Sequence, residues 1–398
     1  MKMELLTVAK NIEKAKCPED IFGDMSNGST IMPVYRQLVM IVHPDHFHGQ
    51  PKEESIARKA FEKLGELRSA AERKVKAGIY GKRNVKPPAP KKPFNPMVIE
   101  AKGKRFVLTD RIASGDICDI YQCTITNGHS DYPAVFKIVR QGSDNDLVEN
   151  EAKILEKLYP PSASEEKFYR FFPKLMDSFI VRGPGYQRRV NVLPLLNAYH
   201  SLAEVLRVFP DGIDFRDMVW MFQRILHGIG FAHTNHIVHG AIIPPHILIH
   251  PIEHGAKIID WSYAVNTQPT GIRPKGSYTL YDHLADDSFF MPSYVKAICS
   301  GYKNYYPPEI LAKKPPTAAT DIYMTAKCAI ALVGGDVTTN MIPDAIPNKI
   351  QEFFKHCLLE KPSERPQDAW DAHEMLDKTL QSVLGKRRYR PFPMPKNI

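Results

Sequence analysis

Residues 237–262 read IVHGAIIPPHILIHPIEHGAKIIDWS, and the fold turns on how this stretch is understood. Two short apolar runs, at 247–249 and 257–259, have the length and β-branched content of strands, and a turn carrying His254 and Gly255 joins them. The tripeptide His239-Gly240-Ala241 stands just before the first run. Asp260-Trp261-Ser262 follows the second directly.

The stretch resembles the catalytic loop and metal-binding segment of protein kinases, HRDLKPEN followed by DFG. His239 holds the first place of that motif, Pro244 its proline and Asp260 the metal-binding aspartate. Ala241 stands where the catalytic aspartate belongs, Ile243 replaces the lysine and His246 the asparagine. In a kinase the aspartate orients the acceptor hydroxyl and takes its proton, and the asparagine helps hold a second magnesium. A methyl group does neither. The resemblance therefore implies a kinase frame with degenerate catalytic positions at His239, Ala241 and His246.

The same frame extends to both sides. Residues 111–121, RIASGDICDIY, align with the glycine-rich loop, of whose glycines only Gly115 survives; Asp116 and Asp119 bring negative charge where phosphates would lie. Ala134-Val135-Phe136-Lys137 matches VAIK, and Glu151 has the spacing of the helical glutamate that pairs with its lysine. Residues 190–202 would form the hinge beside an adenine-sized pocket, and 215–233 a long helix before the catalytic loop. Tyr306-Pro307-Pro308-Glu309 stands where kinases have APE, closing a segment that begins at Asp260. The resemblance implies that Asp321 holds the catalytic-loop backbone and that Arg365 pairs with Glu309. It spans 106–383, an α+β fold of two lobes, 106–196 and 197–383. It implies ATP as ligand through Gly115, Lys137, Glu151 and Asp260, with magnesium on Asp260.

Before this frame lies a helical segment, 1–83. Residues 4–16, 33–42 and 53–76 have apolar spacing compatible with helices, and Ser29 or Thr30 is placed to cap the second. On the third, Ile56, Ala60, Phe61, Leu64 and Leu67 fall near one face and would pack on Val34, Leu38 and Ile41 or Val42. His43-Pro44-Asp45 forms the corner, because Pro44 cannot extend the preceding helix. Residues 35–45, YRQLVMIVHPD, match the YxxLxxxxHPD pattern, and Phe61 matches a phenylalanine common in the following helix. The segment thus resembles a J-domain, the helical-hairpin module by which co-chaperones engage DnaK-type heat-shock ATPases. The resemblance implies chaperone contact through Tyr35, Arg36, His43, Pro44 and Asp45, with His43 and Asp45 triggering the partner's ATP hydrolysis. Gln37 and Ile41 stand where that family usually carries lysine or arginine, which thins the basic docking face.

Charge and composition set the remaining bounds. Residues 1–83 carry 15 basic and 11 acidic side chains, and 84–105 carry 6 and 1. The rest is balanced, so the net charge of +9 sits in the ends and the connection rather than on a basic body. Five prolines among lysines mark 84–105 as an extended spacer, and 384–398 as a solvated basic tail. No interleaved aromatic pattern raises nucleic-acid binding. Six scattered cysteines without a CxxC pair argue against disulfide scaffolds and zinc ribbons. His43, His46 and His48 lack a fourth ligand nearby, so no zinc is expected there. Nothing reaches membrane-spanning length, and a cytoplasmic or nuclear protein is expected.

General-base loss costs about 10²–10⁴-fold. The expected function is therefore a J-domain co-chaperone of a DnaK-family ATPase, with the pseudokinase selecting an unknown client. Two alternatives stay open: an unorthodox ATP-binding serine/threonine kinase, and a non-enzymatic interaction protein.

Overall fold

A computed structural model describes residues 2–23, 31–47, 49–76, 80, 95–126, 130–160, 168–267, 294–385, 389–392 and 394–395. The chain divides into two compact units, Met1–Pro93 and Phe94–Ile398. The expected caps Ser29 and Thr30, His48, most of the proline–lysine spacer, 268–293 of the segment after Asp260, and Lys386–Arg388 lie outside the described residues.

The first unit is helical: α1 (Lys2–Lys14), α2 (Glu19–Phe22), α3 (Ile31–Val42) and α4 (Pro51–Lys76), with a 3₁₀ turn at Pro44–Phe47. Along α4 the buried residues Ala57, Ala60, Leu64, Leu67 and Ala71 recur every three or four positions, which lines one continuous stripe. That stripe meets Leu5, Ala9 and Ile12 of α1 as well as α3, so the hairpin expected from sequence gains a third helix. Phe47, between the two expected helices, is buried in the same core. Two further points fix the unit. Pro51 opens α4 two residues before the expected start, at a first-turn position that needs no N–H donor. Glu19 of α2, fully buried, accepts Lys74 of α4 at 2.8 and 2.9 Å; burial opposes its ionised form, and the ammonium outweighs burial and lowers its pKa.

The second unit opens with a six-stranded antiparallel sheet in the order β1 (Met97–Ala101), β2 (Lys104–Ser114), β3 (Cys118–Thr126), β4 (Asp131–Val139), β6 (Tyr186–Pro194), β5 (Asp177–Gly183). Residues 97–105 are thus a strand, a turn at 102–103 and the start of a second strand rather than spacer, a correction to the expected 84–105 boundary. The physical reason is edge position: β1 is a short, largely exposed run, Met97-Val98-Ile99-Glu100-Ala101, that packs only Ile99 and Ala101 on the sheet's cluster, and the prolines and lysines around it dominate the local composition. Two register shifts between β2 and β3 bend the hairpin that ends in the Gly115 turn. Helix α5 (Asn145–Leu158) groups Val148 with Cys118 and Val139 of this sheet and contributes Leu147, Ile154, Leu155 and Leu158 to the main hydrophobic cluster.

The remainder is mainly helical: α6 (Leu202–Val208), α7 (Phe215–Thr234), α8 (Pro308–Leu311), α9 (Ala318–Leu332), α10 (Asn348–Cys357) and α11 (Ala369–Leu384). Helix α9 is buried on nearly every side, as expected for a helix at the centre of a core. Two short sheets complete the unit, β9 (Ile247–His250) between β7 (His200–Ser201) and β10 (Gly255–Ile258), and β8 (Ile237–Val238) with β11 (Val265–Asn266). The 237–262 stretch is therefore a strand-and-turn insert carried on a helical body. The tail expected to be solvated is anchored at two described residues: Phe392 is buried, and Arg390 pairs with Asp214 and Asp217, while Tyr389 stays largely exposed.

Candidate functional site

Two clusters of polar residues come from the two units. In the first unit, His43 caps the end of α3 with its ring edge-on to Phe61 of α4, the centroids 5.2 Å apart. Its Nδ1 accepts the Asp45 N–H at 3.4 Å and stands 3.6 Å from the Asp45 carboxylate. The imidazole is thereby held in place, while the Asp45 side chain is 85% exposed. Arg36 and Gln37 project from α3 into solvent, and Arg68 of α4 lies over the Tyr35 ring. A groove of about 380 Å³ between α1, α2 and α3 is lined by Ile12, Ile21, Val34 and Leu38 among others.

In the second unit, strand β4 places Lys137 opposite Asn191 of β6, and α5 brings Glu151 beneath it. The Lys137 Nζ donates to Glu151 Oε1 at 2.8 Å, to Asp260 Oδ1 at 2.7 Å and to Ser262 Oγ at 3.2 Å. Asn191 donates to the second Glu151 oxygen at 2.9 Å and to the Val148 carbonyl at 2.8 Å. Burial alone would lower the Lys137 ammonium; Asp260 and Glu151 reverse this and hold it above the ordinary lysine range. Burial likewise opposes the Asp260 carboxylate, and Lys137 and then His246 hold it below the ordinary carboxylate range. Asp260 adopts a left-handed conformation, φ 61° and ψ 62°, which costs about 1–3 kcal/mol outside glycine and is fixed here by these contacts.

The loop that carries Ala241 is closed on itself. Asp321, in the first turn of α9, accepts the His239 and Gly240 N–H groups at 2.8 and 2.9 Å and the His233 ring at 3.0 Å. His239 is fully buried; its Nε2 meets the Ile259 carbonyl at 3.0 Å and its Nδ1 the Ala241 N–H at 3.2 Å, which requires the neutral ring. Burial lowers its pKa to about 4, against a smaller opposing pull from Asp321. His246 Nδ1 donates to the Ala241 carbonyl at 2.8 Å, and its Nε2 stands 3.4 Å from Asp260 Oδ2. Ala241, Ile242 and Ile243 are all fully buried in the main hydrophobic cluster. Gly240 has φ +70°, and a Cβ there would meet Val295 Cγ2 at 2.6 Å. The motif's second and third positions are thus filled by packing.

The edges of the cleft are tied as well. Asp116 accepts the Ser300 N–H, Lys296 pairs with Asp146, and Asn150 of α5 donates to the Ser262 and Ala264 carbonyls. Gly115 turns its N–H to the Cys118 carbonyl. The structure therefore brings Lys137, Glu151 and Asp260 together, whereas Gly115 contributes only to its own turn. Glu309 and Arg365 form a buried bidentate pair at 2.7 and 3.0 Å. Sequence reasoning missed Asn191 and Ser262, and no local pattern marks either one: Asn191 reaches Lys137 through strand register, and Ser262 through the turn after Asp260.

Magnesium fits this donor set poorly. The ion takes oxygen ligands in near-octahedral geometry. One Asp260 oxygen already accepts an ammonium, and the neighbouring position offers an imidazole nitrogen instead of an amide oxygen. Among the described residues no group of three or more His, Cys, Asp or Glu could hold a metal, and no helix is long and apolar enough to cross a membrane.

No protein-family profile matches the chain. Over 50 residues it is 36% identical to cyclin-dependent kinase-like 2 of Rattus norvegicus, Mus musculus and Homo sapiens, which covers 13% of this chain. The chain spans only about a tenth of the length of these curated relatives. The similarity marks a kinase-like region within the chain.

Proposed function

We propose that the protein is a J-domain co-chaperone that stimulates a DnaK-type heat-shock ATPase, with a catalytically silent kinase-like unit that holds a target protein. The observation that carries the first half is the corner at 43–45. Phe61 braces the His43 ring, and Asp45 presents a carboxylate that no lysine or arginine satisfies among the described residues. A rigid, exposed, charged corner does little for its own fold and suits contact with a partner. The test is steady-state ATP hydrolysis by a DnaK-type chaperone with and without the protein. Stimulation that disappears in His43→Gln supports the reading; no stimulation by the wild type, or stimulation unchanged in His43→Gln, refutes it.

Support for the second half comes from the self-neutralised Lys137–Asp260 contact and the buried methyl of Ala241. Without a carboxylate at that position, an acceptor hydroxyl has no base, and Lys137 must leave Asp260 before it can meet a phosphate. One observation favours the alternative of an unorthodox ATP-dependent kinase: the Lys137–Glu151 pair is assembled. That reading requires magnesium-dependent phosphoryl transfer that vanishes in Lys137→Ala and Asp260→Ala. A pure interaction protein requires neither activity. Thermal melts with and without millimolar Mg-ATP separate an occupied cleft from one closed by its own residues.

A further inference from the structure

The C-terminal segment crosses the outer edge of the helical body along α7 and the β9–β10 turn. Tyr389 donates its hydroxyl to the Ile252 carbonyl at 2.5 Å and sets its ring 4.7 Å from His254. The Arg390 guanidinium reaches Asp214 at 3.2 Å and Asp217 at 2.5 Å, at the N-terminal end of α7. The Phe392 N–H meets the Pro251 carbonyl, and its buried ring packs on Phe209. Prolines at 391, 393 and 395 make every second residue unable to donate a backbone hydrogen bond and favour an extended chain. Such a segment binds as a ligand does, by alternate side chains in pre-set places.

A second observation concerns what this segment leaves unmet. Among the described residues, Asp217 Oδ1, Trp220 Nε1 and His254 Nε2 are buried without a hydrogen-bond partner. They form one patch: the Trp220 and His254 rings stack at 4.0 Å, and Asp217 lies one turn before Trp220 on α7. The patch offers an acceptor at the carboxylate and a donor at the indole, and the chain's own tail engages neither atom. An occupant with the same aromatic and arginine anchors and added polar side chains would satisfy more of the site than the tail does.

We propose that this edge is a docking site for an extended peptide of aromatic–arginine–proline–aromatic chemistry, occupied in cis by residues 389–392 and opened when a partner protein bearing such a segment displaces them. This holds whether or not the kinase-like cleft takes a nucleotide. The short connection from the end of α11 gives the tail an effective concentration of about 1 mM, so a free peptide competes poorly with it.

The test uses the full chain with Arg390→Glu and Phe392→Ala, which releases the tail, and a fluorescent synthetic peptide of residues 386–398 read by polarisation. The released variant should bind the peptide at least ten-fold more tightly than the wild type does. Asp217→Asn in the released variant, or glutamate and alanine at the arginine and phenylalanine of the peptide, should remove that binding. Equal or absent binding to both proteins, with unchanged thermal melts, overturns the proposal. A released variant that fails to fold also overturns it, because the tail is then a structural staple. Sedimentation of the wild type covers one more occupant: a dimer that the double substitution dissolves would make a second copy, rather than a partner protein, the donor of the segment.

Discussion

The corner at 43–45 and the cleft at 137–260 are both small clusters of charged and imidazole groups, yet they stand in opposite states. In the cleft, Lys137 donates to Glu151, Asp260 and Ser262, Asn191 donates to the second Glu151 oxygen, and all of them but the partly exposed Asp260 are buried. At the corner, Asp45 lies in solvent, and among the described residues only His43 stands beside its carboxylate. A charge matched inside its own fold is part of the structure, and removing its partner leaves an unpaired ion in a low-dielectric interior. A charge left unmatched at a rigid surface costs the fold little and remains free for a partner. Stability is therefore the measurement on which the two regions separate.

The largest effect is expected at Arg365, which lies on the cleft's side of this contrast. Its side chain is fully buried against Glu309, so Arg365→Ala strands a carboxylate and should cost about 3–5 kcal/mol. At roughly 2–4 °C per kcal/mol for a unit of this size, the melting temperature should fall by roughly 10 °C. A fall of only a degree or two would mean that buried ion pairs contribute little in this unit, and the contrast would lose its basis.

Ala241→Asp comes next, because it restores the residue that a kinase has at this position. In an active-site loop open to substrate it would be mild and activating. Here the position is fully buried beside Ile242 and Ile243, so the new carboxyl is both overpacked and desolvated. A loss of about 3 kcal/mol is expected, without any gain of phosphoryl transfer. Magnesium-dependent transfer by this variant, at unchanged melting temperature, would show an open catalytic loop.

These two expectations differ in how far they were readable from sequence. The Glu309–Arg365 pairing and the hold of Asp321 on the 239–240 backbone are what the resemblance to kinases implies, and both contacts are present. The apolar stripe of α4 is equally visible, since helical periodicity is a local property. The burial of Ala241 is not, because it depends on the left-handed Gly240 and on Val295, more than fifty residues away. Asn191 joins Lys137 through a strand register that no local pattern encodes. The charge run near the C terminus reads as solvated because its acidic partners, Asp214 and Asp217, lie on a helix far upstream.

Acid should act mainly on the kinase-like unit. His239 must stay neutral in the fold, with a pKa of about 4 against 6.5 for an ordinary histidine. Below pH 6.5 the unfolded chain takes up a proton that the folded chain refuses, so the stability from His239 is complete above 6.5 and declines as pH falls toward 4. The whole difference amounts to about 3 kcal/mol, and about half of it should be gone near pH 5. Asp260, held low by Lys137 and His246, pulls in the same direction at still lower pH. A melting temperature that is flat from pH 7 to 4.5, or a slope unaltered in His239→Gln, would remove the buried histidine from the account.

The smallest stability effect is the one that says most about function. Asp45 is 85% exposed and among the described residues its carboxylate meets only His43, so Asp45→Asn should change folding stability by no more than about 0.5 kcal/mol. The same substitution removes the one unmatched negative charge at the corner and should abolish stimulation of a DnaK-type ATPase. Circular-dichroism melts and steady-state ATP hydrolysis on one preparation read both quantities. If stability and stimulation fall together, the corner is a structural joint, and the difference between the two regions is one of degree. If stimulation alone is lost, the carboxylate serves a surface outside this chain, in keeping with its exposure.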